Sequence, residues 1–301
     1  MASSATKAVT GSSLDRQQIL SRFHHVRQHS LDQVAPLSIE DMCLQAMVDT
    51  SPPKWHIAHT TWFFETFVLE PYEAQFTPFD PTFRHLFNSY YETVGTFHPR
   101  HQRGLLSRPS LEQVLNYRNN VEQRLSELAE TCPENIWQEI APLILLGSHH
   151  EQQHQELFYT DLLYSFSQNP TYPAYRPAKG APRDAEPIAE SPIRFIAFES
   201  GLEQVGSDGK EFAFDNETPR HRVYIEPYQL ADRLVTNGEY LQFLNDGGYQ
   251  SPLVWLSDGW ATIQQTGWDH PLYWRQIDGE WYHFTLHGLQ QLPMTAPVIS
   301  L

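Results

Sequence analysis

The sequence predicts an α+β chain, with a helical bundle over its first part and a smaller mixed domain after it. Three observations carry this. Apolar residues recur at helical spacing through about the first 170 residues. A proline-rich stretch then interrupts, with Pro170, Pro173, Pro177, Pro182, Pro187 and Pro192. Beyond it, short runs rich in Gly, Trp and Tyr replace the long periodic segments. With 301 residues there is room for two ordinary domains. The expected boundaries are 14–168 for the bundle, 169–192 for a linker and 193–301 for the second domain.

The bundle is expected to be up-down with one long crossover. Its first helix spans about Leu14 to Gln28, with Ile19, Leu20, Phe23 and Val26 on one face. A second is expected after Ser38, an N-cap residue with Asp41 three positions on. A third starts at Pro52 and Pro53 and runs to about Leu69. Glu70 to Pro109 is a long connection whose density of Phe and Tyr argues for a functional loop rather than disorder. A fourth helix starts at Ser110, with Gln113 completing a capping box. The last follows Pro133 and runs to about Phe166, its inward stripe being Trp137, Ile140, Ile144, Gly147, His150, His154, Leu157 and Asp161. In the second domain, Ile193–Phe198, Arg222–Ile225 and Trp281–Leu286 are expected strands, and a short helix starts near Thr236.

Composition narrows the function. The 36 acidic residues outnumber the 20 basic ones, a formal charge of −16. Phosphate affinity needs clustered Lys and Arg, so no nucleic-acid partner is expected, and an anionic membrane surface would repel the chain. No apolar run approaches a membrane span. The first residues lack the apolar core of a signal peptide. Two cysteines give neither a disulfide framework nor a Cys-rich metal site, so the expected location is the cytoplasm.

Chemistry concentrates at Gly147–Glu156, which reads Gly-Ser-His-His-Glu-Gln-Gln-His-Gln-Glu. His150 and His154 are four apart and share one helix face, so together they can chelate a divalent ion inside a bundle. A third ligand is available from Trp55-His56-Ile57-Ala58-His59, as His59 or, one turn earlier, His56. Three imidazoles on one side of a metal leave coordination sites open, a pattern close to the facial triads of oxygen-activating non-haem iron. The run His150–His154 also reads His-Glu-x-x-His, the motif of zinc hydrolases with Glu as general base. A third possibility is a bundle that binds a partner without catalysis. In the crossover, Tyr90 and Tyr91 can offer a phenol to a metal site, and Arg100 and Arg103 can clamp a carboxylate.

Residues Ser51–Glu65 and His149–Glu156 resemble the iron-dependent sulfoxide synthases of ergothioneine biosynthesis. Phe214–Val223 and Leu234–Tyr240 resemble their second module. The resemblance implies a DinB-like bundle followed by a C-type-lectin-like module of the formylglycine-generating (FGE-sulfatase) type. It implies that His59, His150 and His154 bind Fe(II). It implies an enzyme that joins cysteine or γ-glutamylcysteine to hercynine (Nα-trimethylhistidine) and oxidises the sulfur with O2. Tyr90 and Tyr91 look like the paired tyrosines of the cysteine-using branch, Gln153 like a contact to the hercynine imidazole, and Arg100 and Arg103 like the thiol-substrate clamp. Family members continue well beyond Leu301. The second module is therefore expected to be incomplete and turnover to be weak, with iron binding retained.

Overall fold

A computed structural model of the chain describes residues 15–89, 91, 93–177 and 192–300. The chain is α+β and divides into two units. Of the described residues, those up to 168 together with 209–216 form a helical unit, and those from 169 to 208 together with 217 onward form a mixed one.

In the helical unit, α1 spans Arg16–Val34. Asp15 caps it, its carboxylate accepting the Gln17 amide at 2.8 Å. The expected face, Ile19, Leu20, Phe23 and Val26, is buried. After Ser38 the reciprocal bonds of a capping box do form, Ser38 N–H to Asp41 at 3.0 Å and Asp41 N–H to Ser38 Oγ at 3.1 Å. The helix does not follow, and only a 3-10 turn, Asp41–Cys43, is made. Just beyond it the Gln45 side chain donates to the carbonyls of Thr50 and Arg100 and accepts from Gly104 N–H. The two bonds to the crossover, at Arg100 and Gly104, hold the segment open where local capping favoured a helix.

Helix α2, Pro53–Phe64, opens on the expected prolines, and all twelve of its residues are buried. It is the central post of the unit. Its hydrogen bonding widens to a π-turn at Glu65–Leu69 before a single turn, α3 (Glu70–Tyr72). The crossover contains α4 (Phe83–Leu86) and a 3-10 segment, Arg100–Leu105. Helix α5, Leu111–Thr131, starts at the Ser110–Gln113 capping box. Helix α6 spans Glu134–Ser167. Helix α1 packs on α6, and α2 packs on both α5 and α6.

The core between them includes Phe23, Trp62, Phe64, Tyr117, Val121, Leu125, Ile140 and Ile144. Burial of each such side chain contributes roughly 1.5–3 kcal/mol before chain entropy is counted. Gly147 sets how closely α6 approaches α2, since a Cβ there would lie 2.4 Å from the Phe64 ring and 2.9 Å from Phe63. One stripe position differs from expectation. Leu157 is 42% exposed, and Phe158 is buried in its place. Phe158 lies seven residues beyond buried Glu151, just short of two full turns, and so shares that residue's face rather than the one His150 defines.

In the mixed unit, β1 (Phe195–Phe198), β2 (Gly201–Val205), β3 (His221–Ile225) and β4 (Tyr228–Ala231) make two antiparallel ribbons. Strand β1 pairs with β4, with Phe195 opposite Ala231, and β2 with β3, with Gly201 opposite Ile225. Helix α7, Asn237–Asn245, is capped by Thr236 with Glu239 returning the bond. Helix α8 is Ser257–Thr266. Strands β5 (Trp274–Ile277), β6 (Glu280–Thr285) and β7 (Gly288–Gln291) form a three-stranded meander. Among the described residues, no helix is long and apolar enough to cross a membrane.

Candidate metal centre

The site begins with a periodicity. Trp55, His59 and Trp62 recur at helical spacing on α2, so one face carries three N–H donors. Facing them is the end of α4, a helix too short to satisfy its own last carbonyls. The three donors take them up. Trp62 Nε1 donates to Arg84 O at 3.2 Å, Trp55 Nε1 to Leu86 O at 3.3 Å, and His59 Nδ1 to Phe87 O at 2.6 Å. A carbonyl can only accept, so Nδ1 of His59 carries the proton and Nε2 keeps its lone pair. The ring also lies between two indoles, stacked at 4.5 Å on Trp55 and 5.6 Å on Trp62. Tautomer and ring plane are both fixed before any ligand arrives.

Helix α6 brings the other two rings. His150 and His154 have centroids 4.7 Å apart, and His59 lies 5.0 Å from His150 and 4.8 Å from His154. One nitrogen from each ring falls within 4.8 Å of the others, the only such three-ligand cluster among the described residues. His150 Nδ1 is buried with no hydrogen-bond partner. Such an orphan is costly unless something binds it, and a metal ion would.

All three histidines are held neutral. Burial, and then the neighbouring His150, push the His59 pKa well below its ordinary value. Burial and then His59 do the same to His154. Burial lowers His150 to about 4. Metal coordination needs neutral imidazole, so at neutral pH these rings carry no extra proton that a metal would have to displace. Three rings with borderline-soft nitrogen donors, and no thiolate among them, suit a divalent first-row ion. The residues present therefore fit the iron that the resemblance implies.

The structure separates the two halves of the His-Glu-x-x-His reading. Glu151 points away from the three rings, into a buried cluster between α1, α5 and α6. Its carboxylate accepts from Ser30 at 2.6 Å, Arg118 at 2.7 Å and Arg27 at 3.0 Å. Burial alone would raise its pKa, but the two guanidiniums and these bonds bring it down to about 2. A carboxylate so occupied cannot serve as general base for metal-bound water, which leaves no catalytic Glu for a zinc hydrolase of that type.

The other site residues expected from the sequence distribute as follows. Tyr91 is half-buried, its ring against Trp62 and Phe67, and burial raises its phenol pKa, so it remains an O–H donor. Tyr90 lies outside the described residues. Arg103 is buried, donates to Ser51 Oγ and Ser89 Oγ, and lies 3.4 Å over the Trp55 ring. Its charge contributes to lowering the pKa of both His59 and His154. Arg100 opens the 3-10 segment, and its carbonyl accepts from Gln45. Gln153 is exposed on α6, between His150 and His154 in sequence. His56, the alternative third ligand, instead hydrogen-bonds through Nδ1 to His154 Nδ1 at 2.8 Å. Sequence reasoning did not find that contact, nor the indole stack around His59. The Trp-x-x-x-His-x-x-Trp spacing was the available signal for the stack.

Residues 183–296 match the family described as Sulfatase-modifying factor enzyme 1-like domain. Across 253 residues, 82% of this chain and 52% of the relative, the sequence is 24% identical to the hercynine oxygenase of Mycolicibacterium thermoresistibile. It is 36% identical over 86 residues to that of Mycolicibacterium smegmatis, covering 29% of this chain and 19% of the relative. The chain is related to the hercynine oxygenases. Ergothioneine biosynthesis protein 1 of Neurospora crassa is also similar, 32% identical over 145 residues, which is 45% of this chain and 16% of that protein. The matched part of the chain thus spans about half of the relative matched over the greatest length, and less of the others.

Proposed function

We propose that this chain carries the metal centre of a sulfoxide synthase of ergothioneine biosynthesis, in which His59, His150 and His154 hold Fe(II). The reaction joins the thiol of cysteine or γ-glutamylcysteine to the imidazole carbon of hercynine. An S–H and a C–H bond are lost, a C–S bond forms, and the sulfur is oxidised to the sulfoxide. The two substrates give up four electrons to O2, one oxygen atom ending on sulfur and the other in water.

Bound iron would supply the electrons that open O2 to reaction and the Lewis acidity that turns a thiol into a thiolate at neutral pH. The chain supplies the rest. The three neutral rings would hold the ion, with room left on it for small molecules. Tyr91, or Tyr90 next to it in sequence, would supply a phenol O–H to the reaction. The buried guanidinium of Arg103, with Arg100 in the same 3-10 segment, favours an anionic substrate and attracts the carboxylate of the thiol. Gln153, on the exposed turn between the two α6 ligands, orients the hercynine ring through its amide.

The observation that carries this reading is the convergence of three neutral, oriented histidines, joined to the kinship with hercynine oxygenases. The test is anaerobic loading with Fe(II), followed by hercynine, each thiol in turn, and O2, with mass spectrometry of the product. A sulfoxide bearing one atom from labelled O2 is expected. Iron-loaded chain that consumes neither hercynine nor thiol would overturn the assignment.

A further inference from the structure

We propose that His56 and Asp161 form an outer pair that sets His154 in the ring tautomer a metal requires. The inference rests on the metal site proposed above, but it names residues that site does not use.

Asp161 lies on α6, two turns beyond His154. Its Oδ2 accepts the backbone N–H of Ser51 at 2.8 Å and lies 3.1 Å from His56 Nε2. The carboxylate can only accept here, so His56 Nε2 carries the proton. With the ring's proton placed on Nε2 by Asp161, Nδ1 presents a lone pair. That nitrogen is 2.8 Å from His154 Nδ1. Two lone pairs cannot face each other at that distance, so the proton between them belongs to His154 Nδ1. Its Nε2 is thereby left bare, a lone pair available to the cluster it forms with His59 and His150.

Each link follows from the one before, and the chain starts at a backbone amide. Helix α2 contributes His56 and His59 one turn apart, so the same helix gives one ligand directly and orients another. His59 is oriented in the same sense by Phe87 O. Ligand histidines commonly donate their second nitrogen to a carboxylate or carbonyl, and losing such a partner costs 10–100-fold in metal affinity. The arrangement here differs in placing a whole imidazole between the carboxylate and the ligand.

The test has two arms. In the first, long-range 1H–15N spectra of the metal-free chain report ring tautomers directly, with signals assigned by their loss in His56→Gln and His154→Gln. His154 protonated on Nδ1 and His56 on Nε2 are expected. The opposite pair overturns the proposal without reference to any variant's stability. In the second, Co(II) affinity is measured by chelator competition. His56→Leu should bind 10–100-fold more weakly than the parent. His56→Gln should recover most of the loss, since its amide can donate to Asp161 and accept from His154. Equal affinity in the parent and His56→Leu overturns the relay. A parent that binds Co(II) yet makes no sulfoxide when iron-loaded removes the proposed reaction and leaves the relay standing. A parent that binds no Co(II) removes both.

Discussion

Replacing Glu151 by Gln should unfold this chain more readily while leaving the three clustered histidines untouched. The carboxylate is buried between Arg27 and Arg118, both themselves almost wholly buried. Glu122 also reaches both, at 2.8 Å and 3.2 Å, so the cluster holds two positive and two negative charges. Gln keeps the shape and one acceptor but leaves one guanidinium charge uncompensated. Breaking a buried ion pair from one side costs about 3–5 kcal/mol. The pKa provides an independent figure. A carboxyl moved from 4.5 to about 2 by folding contributes about 3 kcal/mol at neutral pH. That contribution is present above pH 4.5 and is lost as pH falls toward 2, because the folded pKa is the depressed one. Urea unfolding at pH 7, followed by helical circular dichroism, should therefore show E151Q less stable by about 3 kcal/mol. The gap should close between pH 4.5 and 2 as the parent's own carboxyl protonates. A variant as stable as the parent at pH 7 would refute the assigned role of this carboxylate. So would a variant of parental stability that had lost only a hydrolytic activity, because that is the behaviour of a catalytic base.

Other outcomes follow from the same geometry. Gly147→Ala should cost about 1–3 kcal/mol in urea unfolding, because the new methyl meets the Phe64 and Phe63 rings and forces α6 away from α2. His150→Ala should abolish stoichiometric iron in anaerobically loaded protein, measured by elemental analysis, while helical content stays at the parental level. Acidification should destabilise the metal-free chain between pH 6.5 and about 4, since His150 is protonated more readily unfolded than folded. A Co(II)-loaded sample should resist acid down to the point where protons displace the metal, and unfolding curves with and without Co(II) will show the separation.

Much of the site was legible because its signals are local. The four-residue spacing of His150 and His154 is readable from any helical register, as are the capping boxes at Ser110 and Thr236. What escaped depends on residues distant in sequence. Asp161 reads as one more inward position until folding sets it against His56, 105 residues earlier. Glu151 reads as a motif glutamate until Arg27 and Arg118 arrive from two other helices. The missing helix after Ser38 shows the same cause in reverse: the local cap is intact, but Gln45 is held by the crossover. Strands β2 and β7 are four or five residues long, too short for their alternation to stand out from the surrounding loops.

The three clustered histidines come from α2 and α6, with the entire crossover and α5 strung between them. An ion at that point would act as a clasp on the longest stretch of chain in the bundle, doing without covalent chemistry what a cross-link does for a secreted domain. Grip on the ion and resistance to unravelling are then one quantity measured in two ways. Protease cuts in the exposed parts of the crossover should yield fragments that stay together while the ion is held and drift apart once a chelator takes it.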